Sequence, residues 1–313
     1  MKTLGRHLKD YLKLRRQLGF KLIIDGFLLR NFVRFARQQG ATFISTKLAL
    51  RWIAQPLNVT QSCRAHRLGA VRGFAKYLST IEPRTEVPAC TLIPIKVYRR
   101  EPYPYTDKQV LQLIDAARKQ APSQKLRGLT LATLLGLLAV TGMRVGEALA
   151  LDRSDIDFAG ALLTIRRAKG NKTRLVPLHA SAVEALRRYA AIRDEVYPQP
   201  TGPAFFIRKG VRLSYDATMR WFHRAAFQAG LRQRGDSRGD PGSPRMHDLR
   251  HCFAIRTLLN WYHDDADVEA RLPELTTFLG HATVRDTYWY LSARPELLEL
   301  ATRRWEKAEK GGK

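Results

Sequence analysis

The sequence predicts a mainly α protein of two domains, with a small antiparallel β-sheet confined to the second. Three observations carry that prediction. Apolar residues recur at helical spacing through residues 4–78 and again in longer blocks beyond residue 106. A proline-interrupted stretch, 82–105, separates the two blocks. Three short β-like runs then follow one another between residues 155 and 178. At 313 residues the chain also exceeds what one core usually serves, about 250–300 residues.

In order along the chain, residues 4–18 place Leu4, Leu8, Tyr11, Leu12 and Leu18 on one helical stripe, and Gly19 ends that helix. A second helix, 24–39, has Phe27, Leu28, Phe32, Phe35 and Ala36 on its inner face and stops at Gly40. A third spans 46–54 and closes before Pro56; Thr60 then caps a fourth that reaches Leu78. Arg15, Arg16, Arg30, Arg34, Arg37, Arg64, Arg67, Arg72 and Lys76 are assigned to the outer faces. Residues 1–81 are thus expected to form a basic all-α domain, and 82–105, with five prolines, a positively charged extended linker.

The second domain, 106–294, opens on Thr106-Asp107-Lys108-Gln109, a capping-box pattern leading into a helix that buries Val110, Leu111, Leu113 and Ile114. Residues 126–140 are apolar nearly all round, the mark of a central helix. Strands are expected at 155–157, 162–165 and 174–178, and helices at 181–193, 215–229 and 246–261, with a loop rich in Gly, Ser, Pro and Asp at 233–244. The tail, 295–313, carries Leu297, Leu298, Ala301 and Trp305 on one stripe; it docks either on a neighbouring protomer or on its own domain.

Lys+Arg outnumber Asp+Glu 54 to 28, a net +26 spread through both halves. Such a surface points to nucleic acid, whose phosphates bind cations by releasing counterions. Cys63, Cys90 and Cys252 lack CxxC spacing, which fits a reducing cytoplasm and no metal site. The most apolar run, 129–140, is too short to span a bilayer.

Chemistry is carried by four places. Thr141-Gly142-Met143-Arg144-Val145-Gly146-Glu147 follows the central helix, and Arg144 there suits bidentate phosphate binding or an i, i+3 pair with Glu147. Ala168-Lys169-Gly170-Asn171-Lys172 sits at a β-hairpin tip. His247-Asp248-Leu249-Arg250-His251 opens a helix on which His247 and Arg250 share a face; His247 and His251 have the spacing of a metal pair, without a third ligand. Leu279-Gly280-His281 precedes Tyr288, Trp289 and Tyr290, and a tyrosine nucleophile, with an ordinary pKa of about 10, needs cations beside it.

Taken together, these motifs resemble those of the tyrosine recombinase, or phage-integrase-like, family over most of 106–292. The resemblance implies Arg144, Lys169, His247, Arg250, His281 and Tyr290 as catalytic residues. Lys169 matches the first lysine of Lys-Gly-Asn-Lys, and Tyr290 lies nine positions past His281, where the family has its nucleophile. It implies a two-domain C-shaped clamp: a helical N-terminal core-binding domain and an integrase-like catalytic domain. The implied activity is cutting and rejoining double-stranded DNA through a 3′-phosphotyrosyl link, by a homotetramer with a dimer on each site, without cofactor or metal. Such activity serves integration, excision or resolution of a mobile element or replicon. Two alternatives share the motifs: a type IB topoisomerase-like relaxing enzyme, and a DNA-binding regulator with a decayed site.

Overall fold

The computed structural model describes residues 3–94, 100–120, 125–166, 173–199, 201–233, 235–236, 240, 242–292 and 295–311. Its contacts divide the chain into two units, Met1–Arg99 and Arg100–Lys313.

The first unit packs α1 (Leu4–Gln17), α2 (Ile23–Gln38), α3 (Thr46–Ala54) and α4 (Gln61–Leu78) around Leu29, Phe32, Trp52, Val71 and Phe74. Side-chain caps start α3 and α4: Ser45 Oγ accepts from Leu48 N–H at 3.2 Å, and Thr60 Oγ1 from Cys63 N–H at 3.2 Å. On α2, Phe27 is 58% exposed and Leu29 is buried in its place, because the inward phase runs through 29, 32 and 36. Leu18 is likewise exposed, lying just past the end of α1.

Not all the arginines assigned to outer faces stay in solvent. Arg67 lies 3.7 Å from the Trp52 ring and donates to Trp52 O at 2.9 Å, and Arg72 donates to Pro88 O. The stretch expected as an extended linker folds back over its first part. Thr85 is buried, Glu86 N–H donates to Ile44 O at 2.8 Å, and Thr46 N–H donates to Glu86 Oε2 at 2.8 Å. Pairing with the backbone at 44–46 gives those polar groups partners that an extended connector would leave to water.

In the second unit, Thr106 and Gln109 form the reciprocal capping box that starts α5 (Asp107–Arg118). Leu113, Ala116 and Ala117 are its buried residues, whereas Leu111 is 67% exposed. α6 (Lys125–Thr141) is the central helix, its Leu131, Leu134, Leu135 and Leu138 inaccessible against α5, α8 (Ala180–Val196) and α10 (Met246–His263). Three antiparallel strands in the order β1-β2-β3 contribute Leu163, Ile165 and Val176 to the same core: β1 (Ile156–Asp157), β2 (Leu162–Ile165) and β3 (Arg174–Pro177). Their register pairs Leu163 with Val176 and Ile165 with Arg174. A second hairpin, β4 (Ile207–Arg208) and β5 (Val211–Arg212), was not anticipated, because two-residue strands show no period.

α9 (Tyr215–Gln228) packs on α5, and the C-terminal helices α11 (Val268–Leu279), α12 (Arg285–Ser292) and α13 (Pro295–Gly311) gather with α10 around Leu258, Leu272, Leu275 and Leu279. In this chain α13 packs on its own unit: Leu297 is buried in that cluster, and Arg304 donates to Asp265 O at 3.1 Å. No described helix is long and apolar enough to cross a membrane.

Candidate active site

α6 delivers the first arginine. Gly142 follows it with φ +58°, and a Cβ there would stand 2.5 Å from Phe253 Cδ1 and 3.1 Å from Leu279 Cδ2. Only glycine meets both demands, left-handed backbone and close approach. The turn leaves Arg144 as N-cap of α7 (Val145–Ala150). Glu147 accepts from Arg144 N–H at 2.9 Å and from Arg144 Nη1 at 2.8 Å, the i, i+3 pair foreseen from the sequence. Arg144 also donates through Nη2 to Gly280 O at 3.2 Å.

That last contact belongs to a set. Arg174 donates through Nε to Phe278 O at 2.9 Å, and Arg250 donates through Nη2 to Leu279 O at 2.8 Å. Three arginines from three parts of the chain therefore occupy three consecutive carbonyls where α11 ends. Helix C-termini leave carbonyls without intrahelical partners and carry partial negative charge, so this end offsets part of the repulsion among the cations. Gly280, at φ +67°, makes the turn; its missing side chain matters, since a Cβ would lie 2.6 Å from Arg174 Nη1.

Among the described residues, Glu147 supplies the carboxylate of this arginine set. It holds Arg144 on one side and Arg174 on the other, at 3.2 and 2.8 Å to the latter's Nη1 and Nη2. Burial would push its pKa up, but hydrogen bonds from Arg174 and Arg144 outweigh that and hold it below the ordinary value. Arg250 is 2% exposed and donates its other arm to Gly142 O at 2.8 Å. Burial first, then the Arg144 charge, lower its pKa to about 10, so it remains a cation at neutral pH.

Burial disfavours the charged form of the two histidines on α10. Burial, then the Arg250 charge, lowers the His247 pKa; burial, then His247, takes His251 down to about 3. The two rings pack edge to face with centroids 4.8 Å apart, and His251 also packs on Trp289 and Tyr290. Among the described residues its buried Nδ1 has no hydrogen-bond partner. Asp248 between them is clamped by Arg245, which starts α10 with bonds of 2.8 and 3.2 Å.

His281 follows the Gly280 turn and bonds through Nδ1 to Thr287 Oγ1 at 2.8 Å. Its ring stacks on that of Tyr290, centroids 6.0 Å apart. Of the two tyrosines, Tyr290 is 2% exposed and feels Arg250, whereas Tyr288 is 47% exposed. Arg144, His247, Arg250, His281 and Tyr290 thus come together in one place. Lys169 and Lys172 lie outside the described residues.

Sequence reasoning missed Arg174 and Thr287. A signal for Arg174 existed: it stands two residues before Val176, which is inaccessible, so strand alternation turns it inward while Leu175 faces out, 59% exposed. Thr287 gave none, because its partners are fixed by how α11 and α12 meet.

Residues 105–296 match the phage integrase family. The integrase/recombinase y4rB of Sinorhizobium fredii is 41% identical over 98% of this chain and 98% of its own. Tyrosine recombinase XerC of Actinobacillus pleuropneumoniae is 30% identical over 90% of this chain and 86% of its own. Among solved structures, a lambda integrase tetramer bound to a Holliday junction shares the fold at TM-score 0.58 and 21% identity, covering 90% of this chain and 78% of that one. The chain belongs to the phage integrase family. Within it, the relatives make it a tyrosine-type site-specific DNA recombinase.

Proposed function

We propose that Tyr290 is the nucleophile that cuts and rejoins double-stranded DNA, in a tetramer holding two recombination sites. The observation that carries this is the contrast between the two tyrosines. Tyr290 is buried against the His281 and His251 rings and within the field of Arg250, while Tyr288 faces solvent. In the first step the phenol oxygen of Tyr290 forms a bond to a backbone phosphorus and the bond to the 5′-oxygen breaks. A 3′-phosphotyrosyl link and a 5′-hydroxyl result.

Arg144 and Arg250 stabilise charge on the non-bridging oxygens, a task in which losing one donor costs about 10²–10³ in rate. His247, held neutral by burial, takes the phenol proton, and Lys169 gives one to the leaving oxygen. His281 orients the phosphate. Attack by a 5′-hydroxyl of the partner strand reverses these steps, so the phosphodiester energy is conserved. The tetramer reading draws on the lambda integrase assembly, and the biological outcome is integration, excision or resolution of a mobile element or replicon.

The test is covalent trapping on nicked DNA flanking the gene, in EDTA, resolved on a denaturing gel. Wild type and Tyr288→Phe should form a protein–DNA adduct, and Tyr290→Phe should not. An adduct that persists in Tyr290→Phe and vanishes in Tyr288→Phe would reassign the nucleophile. Tight binding with no adduct from any form would favour a regulator with a decayed site.

A further inference from the structure

We infer that Thr287, backed by Thr276, is a positioning residue that fixes the tautomer and ring orientation of His281. One chain of contacts leaves each hydroxyl proton a single place to go. Thr276 Oγ1 lies 2.8 Å from Leu272 O, a carbonyl that only accepts, so the single hydroxyl proton of Thr276 is used there. Thr276 Oγ1 and Thr287 Oγ1 are 2.9 Å apart, and with the Thr276 proton spent, Thr287 must be the donor. The Thr287 oxygen then has no proton left for His281 Nδ1, 2.8 Å away, and accepts one from it. His281 therefore carries its proton on Nδ1, and Nε2 is the basic nitrogen of the neutral ring.

The surroundings hold this arrangement. Thr287 is fully buried and Thr276 is 8% exposed, so water does not offer substitute partners. His281 N–H donates to Thr276 O at 3.0 Å, tying the backbone of the same histidine to the same threonine. Thr287 lies in the first turn of α12, three residues before Tyr290. One hydroxyl thus links the ring of His281 to the helix that presents the nucleophile. Through Nε2 the neutral ring accepts a proton, and the imidazolium donates one to a phosphate oxygen. The opposite tautomer would offer the neutral ring as a donor only. The role in catalysis rests on the reading above of His281 as an active-site residue.

The experiment labels the full chain with ¹⁵N-histidine and records long-range ¹H–¹⁵N spectra at a pH where His281 is neutral, assigning its signals by His281→Asn. Wild type should show the Nδ1–H tautomer. Thr287→Val keeps the shape without the acceptor; the His281 signals should shift toward Nε2–H, and adduct formation should slow by about 10–100-fold, the usual cost of losing an orienting partner. Thr287→Ser retains the hydroxyl and should restore both.

An Nε2–H tautomer in wild type would overturn the inference. So would slow cleavage in Thr287→Val with an unchanged tautomer, or failure of Thr287→Ser to rescue, since either would mean the loss is one of packing. If His281→Asn forms adduct at the wild-type rate, the catalytic role falls. If wild type forms no adduct, the functional reading fails, while the spectra still decide whether Thr287 sets the tautomer.

Discussion

Gly142→Ala tests the turn on which the arginine cluster is built. Alanine must adopt φ near +58°, a conformation that costs a residue with a side chain about 1–3 kcal/mol. Its methyl would also sit 2.5 Å from Phe253 Cδ1, against a ring stacked on Phe278 with centroids 5.4 Å apart, so the clash is not relieved by a small rotation. Overpacking of this kind costs about 1–3 kcal/mol more. The sum, about 2–6 kcal/mol, is a large share of a typical margin of about 5–15 kcal/mol. Urea unfolding at constant slope measures it. The double variant Gly142→Ala/Phe253→Ala separates the two parts: removing the ring should cancel the clash and leave the backbone cost, a favourable coupling of about 1–3 kcal/mol. Because Gly142 O accepts from Arg250, adduct formation should fall with stability. An unchanged midpoint for Gly142→Ala, or strictly additive variants, would refute the account of this turn.

Three further outcomes are expected. His251 has a folded pKa of about 3. Free histidine titrates near 6.5, so between those values the unfolded chain takes up a proton that the native ring refuses, and stability falls as pH falls; at pH 5 the cost is at most about 2 kcal/mol. His251→Leu should therefore gain on wild type in urea midpoint from pH 7 to 5, and parallel decline of the two would contradict this. Glu147→Gln removes the carboxylate between Arg144 and Arg174, leaving two poorly solvated cations, and should cost about 2–4 kcal/mol and slow adduct formation. The native carboxylate contributes stability above its unfolded pKa, lost as pH falls through its lowered folded value, so wild type and variant should converge in acid. A difference that stays constant as pH falls would instead mean that Glu147 acts by packing alone. Thr106→Ala should cost about 1 kcal/mol, read as a lower thermal midpoint; no change would show that the cap of α5 is redundant.

What was legible in the sequence was whatever local chemistry decides. The fourth helix of the first unit and α5 came from cap residues followed by a helical period, and the third helix from the proline that closes it. The three strands came from short β-rich runs between turns. The misses have physical causes. Phe27 and Leu111 are apolar residues that the packing leaves in solvent, because an element's inward phase is set by its neighbours and not by hydropathy alone. The fold-back of 85–87 was hidden because Glu86 finds its partners at Ile44 and Thr46, some forty residues away.

The site divides along the same line. The residue types proposed to do chemistry were legible because each stands in a short motif: Arg144 after a glycine turn, His247 and Arg250 on one helical face, His281 just before a short helix and Tyr290 within it. What holds them was not. The carbonyls of Phe278, Leu279 and Gly280 carry no side-chain identity, yet they receive Arg174 from β3, Arg250 from α10 and Arg144 from the N-cap of α7. A helix end is suited to that task for a reason independent of sequence. It offers several acceptors within one turn and a negative pole, and its carbonyls cannot be protonated or withdrawn as a carboxylate can. With one carboxylate among the described residues, Glu147, the three arginines keep a net positive charge near Tyr290, which the proposed nucleophile, a phenol of ordinary pKa about 10, requires. A second acidic residue would tether the arginines as firmly and remove the field that makes them useful.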